Sequence, residues 1–512
     1  MKDKIIFWLD ADLTPFALAK FLQEKYEGDY FAVIDVTNKP KKFFQEQQLV
    51  KFQKVWYYHD HISKIKKKPD ITYLESIEKK YQINLWVIAH NERVFNQYNE
   101  YYKFSTDEIL SILEQECRLF EDILDEVKPD FLILKAIDLH NNHLFHQICR
   151  AKNVKVLMIV QSRFGYRCTI SQDLDKFDFP EDLNNITASG RTLAELQNYL
   201  KGFDMFKQLN YYKDNFIISN WKRIKAAYEF LLISGNTNPK THYTYYGRTR
   251  LRVLFKEIIA FLKTKYRESF INRNFIREID NTTPFIYSPL HQEPEKSLLI
   301  AAPFYTNQLE TIRHIAKSLP IGYKLYIKEN PQQKIRDWRS VAYYKQIMNI
   351  PNVQLVHPYV KPEDIMSKCS LVVSVGGTAG LEAAFYQKPS IIFADLNYAI
   401  LPSVYKLKAI EDLPQAMRLS LQKKVDPSDV DKFVNLYEKN SFEFDLLSFL
   451  IDYGEYFYRG GFLADVEIPI QKMESFLNKH KPAFEKLALE HIKKIKQHKE
   501  YYSQQNRKII ID

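Results

Sequence analysis

A chain of 512 residues with 46% hydrophobic and 27% charged residues has room for about two to four globular domains and is not a disordered chain. Its 13 glycines, against the ~36 that ordinary usage would give, exclude collagen-like and glycine-rich low-complexity readings. A net charge of +10 points to an anionic partner: nucleotide, nucleic acid, phospholipid or acidic glycan. Cys117, Cys149, Cys168 and Cys369 are scattered, with no CxxC or Cys/His cluster, which fits a reducing compartment and speaks against structural zinc.

In chain order, IIFWL (5–9), YFAVIDV (30–36), KVWYYH (54–59), INLWVIAH (83–90), DFLILKAI (130–137) and VKVLMIVQ (154–161) read as strands. Between them lie helical patterns such as TPFALAKFLQEKY and TDEILSILEQECRLFEDILDEV. Near-continuously apolar strands alternating with helices indicate a parallel sheet covered on both faces. The first apolar run is broken by Asp10, too short for a signal-peptide core. No apolar stretch approaches the ~18 residues of a membrane span. The expected location is the cytoplasm.

From about 190 to 280 the pattern becomes helical and basic, with NFIISNWKRIKAAYEFLLIS and RTRLRVLFKEIIAFLKTKYRESF. Residues 235–281 hold ten Lys/Arg and four acids, and residues 479–508 nine and three. A second alternating series runs SLLIAAP (297–303), a helix at 306–319, KLYIKENP, a helix at 336–349, NVQLVHP, a helix at 362–369, SLVVSVGG, a helix at 378–387, and PSIIFAD. The segment FIYSPLHQEPEKSLLI (285–300) reads as a stiff linker holding His291, Glu293 and Glu295 at the mouth of a cleft. The expected fold is α/β: two doubly wound Rossmann-like domains facing across that cleft. The divisions are 1–285, with a helical insertion at about 190–280, then 286–425, then a helical region at 426–512.

Three of the thirteen glycines fall at Gly376, Gly377 and Gly380. They follow a buried strand ending at Ser374–Val375, and Thr378 stands at the N-cap of the next helix. A turn of this kind brings unpaired backbone N–H groups and a hydroxyl to an anion, so it reads as a phosphate site. The bland alternative is a tight strand-to-helix turn with a capping threonine. Glu382, one turn into the helix, is placed for a ribose diol. Lys328 and Asn330 close a neighbouring strand, where a lysine can pair with phosphate. His357 ends the next.

The stretches SPLHQEPEKS, NQLETI, LPIGYKLYIKENP, IPNVQLVHP and SVGGTAGLEAAFYQKPSIIF, in this order and spacing, resemble the bacterial capsule-polysaccharide biosynthesis glycosyltransferases. That group includes β-Kdo transferases of the GT-B fold. The resemblance runs from Phe285 to Asp395, with a softer echo in KVLMIVQSRFGYR (155–167). It implies a C-terminal domain that binds a nucleotide-activated sugar and an N-terminal domain that binds the glycan acceptor. Ser374, Gly376, Gly377, Thr378, Glu382, Lys328 and Asn330 would form the donor site. Asp138, His291 and Glu293 would be catalytic, and Arg163 and Arg167 would meet an anionic acceptor or a donor carboxylate. Asp10, Asp12, Asp35 and Asp60 are further carboxylates at strand ends, and His140 and His143 are placed to hydrogen-bond Asp138.

No cofactor and no catalytic metal are implied. The nucleotide sugar is a co-substrate, CMP-linked (as in CMP-Kdo) ahead of UDP-linked. The acceptor would be a surface polysaccharide or lipid-linked glycan. The basic stretch 476–502 and the basic insertion would then touch an anionic membrane surface, and nucleic acid is not an expected partner. Position 330 departs from the family, which has His there; Asn donates a hydrogen bond but carries no charge. A sugar-nucleotide epimerase, a polyol-phosphate transferase and a non-catalytic nucleotide-binding relative remain as alternatives.

Overall fold

The structure, a computed structural model, describes residues 2–62, 68–95, 98–162, 164, 166–179, 181–202, 225, 228, 242–280, 282–458 and 465–511. The first half contains β1 (Asp3–Leu9), β2 (Gly28–Ile34), β3 (Lys54–Tyr57), β4 (Phe131–Lys135), β5 (Lys155–Gln161) and β6 (Arg167–Ser171). β1 to β5 are parallel in the order 5-4-1-2-3, and β6 turns back antiparallel on β5. Ile5 to Leu9 in the central strand are at most 1% exposed, because helices cover both faces of the sheet.

The second half contains β7 (Phe285–Pro289), β8 (Lys324–Lys328), β9 (Val353–Val356), β10 (Leu371–Ser374), β11 (Ser390–Ile392) and β12 (Val404–Lys406). They are all parallel, in the order 9-8-7-10-11-12. The chain is thus built from two parallel-sheet, Rossmann-like α/β domains, the fold class expected from the alternating pattern. In both sheets the strand order reverses beside the first strand, between β1 and β4 and between β7 and β10. Open α/β sheets bind ligands at such reversals, outside the carboxyl ends of the strands.

Three local expectations are corrected. INLWVIAH is not a strand but the helix Leu85–His90. The Asn84 side chain accepts the Val87 N–H at 3.0 Å and caps it, and Leu85, Ile88 and Ala89 form a buried i, i+3, i+4 face. SLLIAAP is likewise a short helix, Lys296–Leu299, followed by a 3-10 turn at Pro303–Tyr305. Its place in the sheet is taken by FIYSP, which is no linker but the central strand β7, paired with β8 and β10. Pro289 ends that strand, where its missing N–H costs little. The segment NFIISNWKRIKAAYEFLLIS lies almost wholly outside the described residues.

The chain crosses between the two cores more than once. Phe164, Leu183 and Leu196 are buried with the second sheet, as is Ile271 at the end of the helix Arg250–Asn274. Later, β13 (Phe442–Glu443) pairs antiparallel with β6, and the helix Lys481–Ile511 packs on Thr14–Lys25. Its Phe484, Leu487, Ala488 and Ile495 are buried in the first core. The apolar side of this basic helix is therefore turned into the protein.

Candidate functional site at the two strand-order reversals

At the second reversal the loop after β7 meets the turn after β10. His291 is 7% exposed, and its Nε2 accepts the Gly376 N–H at 3.4 Å. The His291 backbone is fixed on both sides: its N–H donates to Gln308 Oε1 (2.7 Å), and its carbonyl accepts from Gln308 Nε2 (3.1 Å) and Arg339 (2.5 Å). Gln308 also donates to Glu293, whose carboxylate lies 3.4 Å from Arg339. His291 and Glu293 are thus brought to the glycine turn, Glu293 as part of the scaffold that holds the loop.

The glycines are required by the protein's own packing. None of the three adopts positive φ. A Cβ on Gly376 would stand 2.9 Å from the Ser297 carbonyl oxygen, and one on Gly377 would stand 2.8 Å from His291 Cε1. On Gly380 it would meet Ile392 Cγ2 at 2.8 Å and the Tyr398 hydroxyl at 2.9 Å. The Gly377 N–H donates to Ser374 Oγ at 3.3 Å, and its carbonyl accepts from the Tyr398 hydroxyl at 2.5 Å. Thr378 sits at the N-cap position with helical dihedrals, and its hydroxyl makes no capping hydrogen bond.

Lys328, the last residue of β8, is 4% exposed. Among the described residues no hydrogen bond or ion pair holds its Nζ. Burial pushes its pKa down to about 8, against the opposing pull of Glu382 and Glu329. Glu382, in the first turn of the helix Ala379–Phe385, is thereby an electrostatic neighbour of Lys328. Glu329 is fully buried and tied to Arg339 (2.5 Å), the Tyr344 hydroxyl (2.7 Å) and the Asn330 N–H (2.7 Å). Asn330 serves its own loop, where its Oδ1 accepts the Gln332 N–H at 3.0 Å and caps the turn Pro331–Arg336. His357 accepts from Arg277 at 3.0 Å, and burial followed by that guanidinium pushes its pKa down to about 4.

At the first reversal, Asp10 follows β1 and Lys135 ends β4. Lys135 Nζ lies 2.9 Å from Asp10 and 3.6 Å from Asp138. Asp138 also accepts from Asn142 Nδ2 at 2.9 Å and lies 3.9 Å from Arg93. Burial raises the Asp10 pKa to about 7; Lys135 opposes this, and Asp12 and Asp138 add to it. For Asp138 the burial effect is outweighed by Lys135, Asn142, Arg93 and Lys296, which hold it below the usual carboxylate range. The Asp138 side chain is 31% exposed against 13% for Asp10, so Asp138 is the more reachable of the two.

The remaining candidates at this edge are committed elsewhere. His140 does not hydrogen-bond Asp138; it lies 2.7 Å from Glu92 and 3.0 Å from Glu116 in a buried network with Tyr58 and Tyr243. Burial pushes the His143 pKa down to about 3, and its Nε2 lies 2.9 Å from Gln147. Asp35 pairs with His59 at 2.9 Å, and Asp60 with Lys41 at 2.6 Å. The Arg167 guanidinium is engaged within the fold, donating to Ser441 Oγ (2.8 Å), the Ser441 carbonyl (3.0 Å) and the Glu438 carbonyl (3.2 Å). It thereby holds β13 to β6. Arg163 lies outside the described residues.

The two edges meet. Lys296, whose charge reaches Asp138, begins the short helix in which the Ser297 carbonyl touches Gly376. Asn91 Nδ2 donates to the Pro303 carbonyl at 3.2 Å, and Tyr98 feels the charges of Glu293 and Arg339. Sequence reasoning does not single out Arg339, Gln308 or Glu329. Gln308 and Glu329 lie within NQLETI and LPIGYKLYIKENP, but each of the three acts through partners 10 to 48 residues away that only folding brings together.

No family model matches the chain, and no curated protein matches it. Among solved structures, a UDP-GlcNAc 2-epimerase from Methanocaldococcus jannaschii is 13% identical, covering 85% of this chain and 99% of its own, with a TM-score of 0.24. The Neisseria meningitidis UDP-GlcNAc 2-epimerase is 12% identical, covering 85% and 98%, with a TM-score of 0.22. The β-Kdo 2,7 transferase KpsC from Thermosulfurimonas dismutans is 13% identical, covering 70% and 98%, with a TM-score of 0.29. Likenesses this low carry no argument about the site, which rests on the geometry above.

Proposed function

We infer that this chain is a sugar-nucleotide enzyme of GT-B architecture and that it transfers a glycosyl group. The observation that carries the reading is Lys328, a buried amine with no partner among the described residues, at the strand ends flanking the reversal where His291 meets the glycine turn. The opposite reversal presents a second charged set, Asp10–Lys135–Asp138. In this reading Lys328 meets a donor phosphate, and the Thr378 hydroxyl and Glu382 carboxylate lie on the phosphate and ribose side. His291 lines the turn, held by Gln308 and Arg339. A cation beside the departing phosphate stabilises the charge that develops there.

Across the cleft, Asp138 receives the acceptor hydroxyl. Asp10, raised toward neutrality by burial, takes up the hydroxyl proton, while Lys135 keeps its charge between the two carboxylates. The resemblance of residues 285–395 to capsule-polysaccharide glycosyltransferases supports a donor carrying an acidic sugar, CMP-linked ahead of UDP-linked, and a surface-glycan acceptor. With Asn330 engaged as a cap, the charge at the donor phosphate falls to Lys328.

The same pair of carboxylates favours a second reading. One group titrating near pH 7 beside one held low suits removal and return of a proton on a single sugar, the chemistry of an epimerase. Incubation with CMP- and UDP-linked sugars, with and without a glycan acceptor, followed by mass spectrometry and NMR of the products, separates the two. Acceptor-dependent release of nucleotide supports transfer. An isomerised sugar nucleotide formed without acceptor replaces it with epimerisation, and no change in any donor contradicts both.

A further inference from the structure

The helix Arg250–Asn274 is about 37 Å long. Its inner side is fixed to both domains. Lys256 pairs with Glu100 at 2.9 Å, Arg252 donates to the Tyr101 carbonyl at 2.6 Å, Arg267 lies 2.6 Å from Asp337, and Ile271 is buried in the second core. The outer side carries Leu251, Phe255, Ile258, Leu262 and Tyr266, at spacings of four, three, four and four, a single helical face. These side chains are 61–79% exposed, and Phe261 beside them is 58% exposed. A contiguous apolar face of this size on the outside of a protein marks an interaction surface.

We propose that this face docks on an anionic lipid surface, with the helix lying in the plane of the membrane. Charge decides between occupants. The helix carries seven Lys/Arg and two Glu, so two copies packed face to face would set like charges together, whereas acidic headgroups neutralise them. Lys263 and Lys265 are exposed around the apolar face, where they reach headgroups while Phe255, Phe261 and Tyr266 enter the interfacial layer. The apolar face runs from residue 251 to 266, about 22 Å, too short to cross a bilayer. Among the described residues no helix is long and apolar enough to span one. The basic C-terminal helix, by contrast, has its apolar side buried in the first core.

The test is co-sedimentation of the full chain with phosphatidylcholine vesicles, with and without about 30% phosphatidylglycerol. It is run beside a variant with Leu251→Ser, Phe255→Ser, Ile258→Ser and Leu262→Ser, whose fold is checked by its melting temperature. The expected result is binding to the anionic vesicles only, weakened about tenfold or more at about 0.5 M salt and by a similar factor in the variant. Binding that is absent, or undiminished in a folded variant, overturns the proposal. So does light scattering that shows a wild-type dimer and a variant monomer without a difference on lipid, which assigns the face to a second copy. A chain that binds only after residues 203–241 are deleted overturns it in favour of that segment as the cover.

Discussion

His291 Nε2 stands 3.4 Å from the Gly376 backbone nitrogen, joining the loop after β7 to the turn after β10 at the point where the second sheet reverses its strand order. Gly376, Gly377 and Gly380 therefore act through fit. A side chain at any of the three would crowd a specific neighbour, and the neighbour of Gly377 is the imidazole at the centre of the candidate site.

Gly377→Ala is expected to lower stability by about 1–3 kcal/mol, because its Cβ would stand 2.8 Å from His291 Cε1 and the ring must move. In a His291→Ala background the same change is expected to cost much less. A double-mutant cycle by thermal or urea unfolding checks this, and equal costs in both backgrounds would separate the glycine from the histidine.

The buried Glu329–Arg339 pair holds the His291 loop from beneath. Arg339→Met leaves Glu329 without its counter-ion and is expected to destabilise the fold by about 3–5 kcal/mol. Glu329→Met together with Arg339→Met is expected to recover part of that loss. Comparison of the two melting temperatures checks the pairing.

Asp10 and Asp138 are expected to give opposite pH responses. The folded-state pKa of Asp10 is raised from 3.8 to about 7, so the folded protein retains a proton that the unfolded chain loses. This contribution is present below about pH 4 and is lost as pH rises toward 7. Asp138 is lowered, so its contribution is present above about pH 4 and is lost as pH falls below it. Asp10→Asn should flatten the stability profile between about pH 4 and 7, and Asp138→Asn should flatten it on the acid side. Urea unfolding across the range reads both. If transfer uses Asp10 as base, the rate should also rise with pH to a plateau above about 7.

Much of this architecture is legible in the sequence, because buried parallel strands write themselves as apolar runs. FIYSP reads as part of a linker because Pro289 and Pro294, close together around His291, look like loop punctuation, and only the pairing with β8 and β10 reveals a central strand. INLWVIAH reads as a strand because a short, nearly continuous apolar run fits either structure, and the Asn84 cap decides it. The β6–β13 pairing joins residues about 275 apart and leaves no local signal. At the site, glycine scarcity points to 376–380, yet the reason for it, contact with His291, Ser297 and Tyr398, exists only after folding. Sequence cannot tell Asp10 from the other strand-end carboxylates, because its raised pKa comes from burial, to which Asp12 and Asp138 add against the opposing pull of Lys135.

If Lys328 holds the donor phosphate, calorimetric titration of CMP and UDP into wild-type and Lys328→Met protein will show it. One nucleotide is expected to bind at pH 7, with affinity falling as pH rises past about 8 and Lys328 loses its proton. Lys328→Met is expected to weaken binding about 10- to 100-fold, the loss of one charge-assisted hydrogen bond. Binding of equal strength in the folded Lys328→Met protein, or no binding of either nucleotide to the wild type, would contradict the assignment of Lys328 to the donor phosphate.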